Sequence, residues 1–301
     1  MTRTTHFLAL RMAALACAVF LGGAAAAEGY LIQLARPLQK GAKYRISAKG
    51  SRTDASVMSR DEQVIREAEN TIRVELEGQI EILEVDEAGR PLKEALGVEL
   101  FVYGLGGQLT NSVATGQVII AETVGTRTEF RLAGERLSGL ASAALEIVLS
   151  TYRGDVPDED YMFGTFGRRV VGDTWPVNGE AVASLMASSG TRVDTENLDG
   201  SVTLAGIENV SGVECLRIDA RVEIDDFSMT DLPSGVELEE GKAEVTVSGL
   251  FPTDPALAKL QDKTSVRMEM VLTSTDGPFA GATMRTRSIQ SGEKTLVPFT
   301  D

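Results

Sequence analysis

Six residues, Asp155-Val156-Pro157-Asp158-Glu159-Asp160, carry four carboxylates. Calcium takes about six to eight oxygen ligands and is plentiful outside the cytoplasm. Asp155, Asp158, Glu159 and Asp160 are therefore a candidate calcium site. The competing reading is an acidic loop in solvent.

Most other chemistry is limited by what the chain lacks. It has a single histidine, His6, and two cysteines, Cys17 and Cys215. Met1 to Ala27 has the layout of a secretory leader: Arg3 and Arg11 without an acid, a small apolar run, then Ala24 to Ala27 before Glu28. Cleavage there removes His6 and Cys17. Hydrolase sites built on imidazole, and zinc sites of His and Cys, are then excluded for a chain acting alone. No cofactor is expected. Cys215 has no partner for an internal disulfide, so stability must come from the core.

Two short motifs fail on context. Ser291-Gly292-Glu293-Lys294 fits Ser-x-x-Lys, but its companion motifs are missing. Gly104-Leu105-Gly106-Gly107 has Leu109 where a dinucleotide loop needs a third glycine. Paired carboxylates for glycoside hydrolysis need no histidine. The acids here fall mostly on outer strand faces, however, and Trp175 is the only tryptophan for stacking sugar rings. The expectation is a non-enzymatic protein.

Charge narrows the partners. The net charge is −15. Nucleic acid requires clustered Lys and Arg and is excluded as a partner. After the leader no segment is apolar enough to anchor the chain in a membrane as a helix.

These residues must be positioned mainly by strands. Ile72, Val74, Leu76, Ile80 and Ile82 alternate with Arg73, Glu75, Glu77, Gln79 and Glu81. That two-residue period marks a half-buried antiparallel strand. Leu83 and Val85 change parity, which predicts a bulge near Leu83. Leu216 to Ile224 and Val266 to Leu272 alternate in the same way. Asp86 to Gly89, Asp199-Gly200, Asn209 to Gly212 and Asp276-Gly277 supply turn chemistry. Residues 55–70 stay open between helix and strand.

One segment has the helical period. Leu137, Leu140, Ala141, Ala144, Leu145, Val148, Leu149 and Tyr152 recur at three- and four-residue steps, predicting a long amphipathic helix. A second short helix is expected from Asp254 as N-cap with Pro255 behind it. The domain reading is a leader at 1–27, a first β half at 28–133, a helix and acidic linker at 134–164, and a second β half at 165–301. The halves repeat loosely, from Gly41-Ala42-Lys43-Tyr44 and from Gly172-Asp173-Thr174-Trp175.

The leader, the Gly-Asp-Thr-Trp opening and the Asn209–Gly212 turn with its following strand resemble uncharacterised families of secreted bacterial β-rich proteins. Those families imply no settled activity. The layout is also similar to the half-barrels of periplasmic lipoprotein carriers, and that resemblance implies a curved sheet over helices.

The expected fold is thus mainly β, a curved antiparallel half-barrel-like meander with one long helix packed on it. The expected function is a secreted, periplasmic binding protein holding an apolar ligand, an acyl chain or a lipoprotein lipid, between sheet and helix. Leu140, Leu145, Leu149, Tyr152, Met268 and Met270 are its candidate lining. The alternative is an envelope interaction module without a small ligand, using a sheet edge or its acidic face.

Overall fold

The computed structural model describes residues 29–125, 127–152 and 156–298. The leader segment, and Asp155 of the acidic run, lie outside the described residues. Strands take up 59% of the described residues, well above the roughly 20–25% of an average globular protein.

The strands, in chain order, are β1 (Tyr30–Leu31), β2 (Lys43–Arg60), β3 (Gln63–Val85), β4 (Pro91–Leu105), β5 (Gln108–Thr110), β6 (Val118–Val124), β7 (Arg127–Leu132) and β8 (Glu135–Arg136). Helices α1 (Gly139–Val148) and α2 (Glu159–Phe163) follow, then β9 (Arg168–Arg169), β10 (Thr174–Pro176), helix α3 (Gly179–Ser188) and β11 (Thr191–Arg192). The rest is β12 (Leu198–Val210), β13 (Val213–Asp225), β14 (Ser228–Met229), β15 (Val236–Pro252), β16 (Gln261–Ser274) and β17 (Thr283–Pro298).

One 13-stranded antiparallel sheet holds the order β10-β12-β13-β15-β16-β17-β2-β3-β4-β6-β7-β8, with β5 added to β4. Along it the strand numbers rise from β10 to β17 and then again from β2 to β8. This is an up-and-down meander in which the first and last long strands, β2 and β17, have paired. The sheet is not closed: β8 and β10 do not pair, and the chain between them carries α1 and α2.

The two faces differ because the sequence alternates. On the first, Ile46, Leu76, Ile82, Leu96 and Ile119 are buried under Ala144, Leu145 and Val148 of α1. Further along the same face Val202, Leu204, Leu216 and Ile218 pack with Trp175, Ile32 and Leu34. Val222 and Ile224 pack with Phe227 and Val182 of α3. Between these cores the sheet is thin. No residue of β17 is buried, and of β16 only Leu272 is.

The expected mainly β class, the antiparallel sheet and the bulge at Leu83 are observed: Ile82 pairs with Glu94 and Glu84 with Lys93, leaving Leu83 unpaired. The long helix is not. α1 has ten residues and stops at Val148. Leu149 turns extended, Thr151 N–H donates to Thr128 Oγ1 and Tyr152 N–H to the Pro91 carbonyl, so the chain leaves the helix to bond with the sheet. Nor is the helix alone, since α2 and α3 accompany it. The expected helix at Asp254 is a turn: Asp254 Oδ1 accepts from Ala256 N–H. Asp199-Gly200 lies inside β12 rather than at a turn.

Candidate functional site

A cleft of about 740 Å³ opens on the helix-bearing face. Its walls come from segments far apart in sequence. Leu34, Arg36 and Leu38 form one side, Arg90 and Pro91 at the start of β4 another, and Leu149 and Tyr152 after α1 a third. Asp160 of α2 fixes the first wall, accepting from Leu34 N–H at 2.6 Å and Ala35 N–H at 3.2 Å. A second hollow of about 120 Å³ is lined by Met162, Phe163, Ile218, Val247 and Phe251. Leu34, Glu159, Met162, Lys259 and Asp262 line both, so these residues form a wall shared by the two spaces.

A charge cluster sits in that wall. Lys259 Nζ lies 2.7 Å from Glu159 Oε1 and 3.4 Å from Asp262 Oδ2, and 5.2 Å over the Phe251 ring. Burial alone lowers the Lys259 pKa, but Glu159 and Asp262 outweigh it and hold the ammonium above its ordinary value. For Asp262 burial raises the pKa, and the charges of Lys259 and Lys294 override it, so the carboxyl lies below its usual range. Arg36 donates to the Pro252 carbonyl at 2.8 Å and the Asp254 carbonyl at 3.1 Å. Burial pulls its pKa down. Arg90 pairs with Asp86 at 2.6 Å and stacks 3.7 Å over the Tyr152 ring. This arrangement can hold an amphiphile, with the end of the apolar part in the small hollow and the polar part among the ions.

The predicted lining residues are dispersed. Leu145 is fully buried in the first core and Leu140 packs beside it. Leu149 and Tyr152 reach the cleft, though from beyond the helix. Met268 and Met270 of β16 pack against the Val222–Phe227 core instead. The acidic run also diverges. Asp158 caps α2, accepting from Tyr161 N–H at 2.7 Å. Glu159 turns to Lys259, and Asp160 to the backbone of Leu34 and Ala35. Among the described residues no group of three or more His, Cys, Asp or Glu side chains is placed to hold a metal ion.

Trp175 is buried and donates from Nε1 to the Phe163 carbonyl at 2.8 Å, so it builds the wall behind the small hollow. Cys215 shares parity with outward residues but is fully buried among Leu250, Leu260 and Val210 at the sheet's end. Burial raises its thiol pKa and holds it as the unreactive thiol. Sequence reasoning missed Lys259, Asp262 and Phe251. The one local signal was the three-residue step from Lys259 to Asp262.

The opposite face has its own hollow, of about 1030 Å³. Side chains of nine strands border it, from β12 to β5, so the sheet curls toward this face and α1 lies behind it. One row across it reads Ser201, Arg221, Thr246, Ser265, Ser291 and Ser51. Its charges largely satisfy one another: Glu293 takes Lys263 at 3.2 Å and Lys49 at 3.6 Å, and Asp219 accepts from Ser248 at 2.6 Å.

No family model matches the chain, and no curated protein matches it. Among solved structures it is similar to one described as "lipid-protein interactions in lipovitellin", at 10% identity and a TM-score of 0.30, over 88% of this chain and 26% of that one. The chain thus spans about a quarter of that structure's length. It is also similar to OpdQ of Pseudomonas aeruginosa, at 8% identity and a TM-score of 0.19, over 86% and 98% of the two chains. For Ail, the attachment invasion locus protein of Yersinia pestis, the values are 8%, 0.13, 84% and 99%. Similarity this distant assigns no activity.

Proposed function

We propose that this is a secreted, periplasmic binding protein, not an enzyme, that holds an amphiphile in the cleft between the Leu34–Leu38 segment, α2 and the sheet. The observation that supports this reading is an apolar hollow, floored by Ile218, Val247 and Phe251, that shares a wall with a wider cleft bordered by ions. The end of an acyl chain, free or on a lipoprotein, enters the first, and the rest of the chain and its polar head occupy the second. The leader-like segment Met1 to Ala27 supports the location.

Native mass spectrometry of protein purified from the cell envelope without detergent tests it. Added mass that solvent extraction removes is expected, and Val247→Trp, which fills the small hollow, should reduce it. Bare protein that also fails to take up dodecanoate or monododecanoylglycerol would overturn the proposal. So would ligand retained in full by Val247→Trp.

A further inference from the structure

The longest strand, β3, is bonded on one side only over eight of its 23 residues. β4 stops pairing with β3 at Ile72–Leu105, yet β3 runs on to Gln63. From residue 63 to residue 70, β3 is bonded to β2 on one side only. Among the described residues no hydrogen bond reaches its other side, and seven of those eight residues are exposed. The free groups can be assigned. The Thr71 carbonyl points outward, since it accepts from Gly106 N–H at 3.0 Å. Backbone groups alternate every second residue along a strand. Glu69 and Glu67 therefore present their N–H and C=O groups to the empty side.

An edge of this kind is a template for another strand, and its side chains choose the partner. Glu67 and Glu69 share one face, and no described residue pairs with either within 4 Å. A second copy of this chain is disfavoured in the registers centred on residues 66 to 69, the regular stretch beyond the irregularity at Ile65. Antiparallel pairing about a two-fold axis keeps each side chain on its face, so partners are an even number of residues apart. A register centred on residue 66 opposes Arg66 to Arg66. Centres at 67 and 69 oppose Glu67 to Glu67 and Glu69 to Glu69, and a centre at 68 opposes Glu67 to Glu69 twice. Like charges directly across a ladder destabilise it.

We propose that the outer edge of β3 at Glu67 and Glu69 binds an extended polypeptide segment with Lys or Arg at alternate positions, adding it to the sheet as an antiparallel strand. The site is separate from the cleft and does not depend on the cleft's ligand. Two basic side chains on one face of the added strand meet Glu67 and Glu69, while its backbone closes the free hydrogen bonds.

The test uses the peptide acetyl-Val-Lys-Val-Lys-Val-Lys-Val-amide, with a control carrying Glu in place of Lys, and hydrogen exchange at the Glu67 and Glu69 amides. The Lys peptide should slow exchange there at least ten-fold, and the Glu peptide should not. The double variant Glu67→Lys/Glu69→Lys should lose at least ten-fold in affinity for the Lys peptide and gain for the Glu peptide. Glu69→Pro removes an outward N–H without touching the β2 ladder, and should abolish protection at Glu67 while leaving the melting temperature near the parent's. Absence of protection in the parent overturns the proposal, as does equal binding of the two peptides. Sedimentation showing that the peptide-free chain dimerises through this edge would also overturn it.

Discussion

Gly50 of β2 stands directly opposite Gly292 of β17, and the C-terminal turn of α1 rests on that pair. A Cβ at Gly50 would lie 2.6 Å from Ile147 Cγ2, and one at Gly292 would lie 2.9 Å from the Ile147 carbonyl oxygen. The two glycines make a flat seat at the junction of the two halves of the sheet, where few other side chains are buried. Gly50→Ala should push α1 outward and cost about 1–3 kcal/mol, the range for overpacking. Urea unfolding of Gly50→Ala, Ile147→Ala and the double variant measures it. The double variant should recover part of the loss, and strict additivity would show that the seat does not hold the helix.

Glu94 makes stability depend on pH. It is buried on the apolar face of β4, and burial pushes its pKa up to about 7 against the partial relief of the Lys294 charge. The unfolded chain ionises it near the ordinary 4.5. Protons are thus bound more tightly by the folded state. The contribution is fully present below about pH 4.5 and is lost as pH rises to about 7. At about 1.4 kcal/mol per unit, the loss is on the order of 3 kcal/mol. Glu94→Gln should remove this slope and be more stable than the parent at pH 8. Unfolding midpoints at pH 5 and pH 8 for both proteins check it, and parallel curves would count against the burial argument.

Lys259 balances two carboxylates in the wall of the small hollow. Lys259→Met removes the ammonium that both Glu159 and Asp262 contact and leaves only the more distant charges of Lys294 and Arg36. The cost is expected to be about 3 kcal/mol, because removing one member of a sheltered ion cluster strands the rest. Lys259→Met combined with Asp262→Leu should recover much of it, since an apolar replacement of both partners costs little. Thermal melts of the two variants distinguish a stranded charge from lost packing.

Strand faces were legible wherever one side is buried. Ile72 to Ile82 and Leu216 to Ile224 alternate because a core lies on one side only, and both lie in the sheet as expected. The turn at Asn209–Gly212 was legible for the same kind of reason: Ser211 and Gly212 take positive φ, and Asn209 Oδ1 accepts from Gly212 N–H. Asp199-Gly200 misled because that glycine answers to packing: a Cβ there would lie 2.7 Å from Val177 Cγ2. The helical period of Leu137–Tyr152 overran because Leu149 and Tyr152 face the cleft, a second apolar surface in line with the first. Of the expected apolar lining only those two reach the cleft, and Asp158 and Glu159, expected as calcium ligands, border it as well. The rest meet through contacts such as Leu34 with Asp160, 126 residues apart, which no local pattern encodes.

The β2–β3 hairpin shows the same limit at its tip and yields the last prediction. Residues 55–70 carry no one-sided apolar pattern because both faces of the sheet are in solvent there. The reversal at Asp61-Glu62 has no glycine, yet both residues take positive φ, 48° and 64°. These are the conformations of a two-residue hairpin turn that favours Asn-Gly. A non-glycine residue held there is strained, most of all Glu62, whose side chain gains nothing locally. Asp61→Asn/Glu62→Gly should therefore stabilise the protein by about 0.5–1 kcal/mol, by analogy with relief of comparable backbone strain. Because the turn also fixes which β3 groups face outward, the variant should keep the Glu67 and Glu69 amides exchanging at the parent's rate. A raised urea midpoint with unchanged exchange at those amides is the expected result. A lowered midpoint would mean that Asp61 and Glu62 hold the turn through contacts of their own.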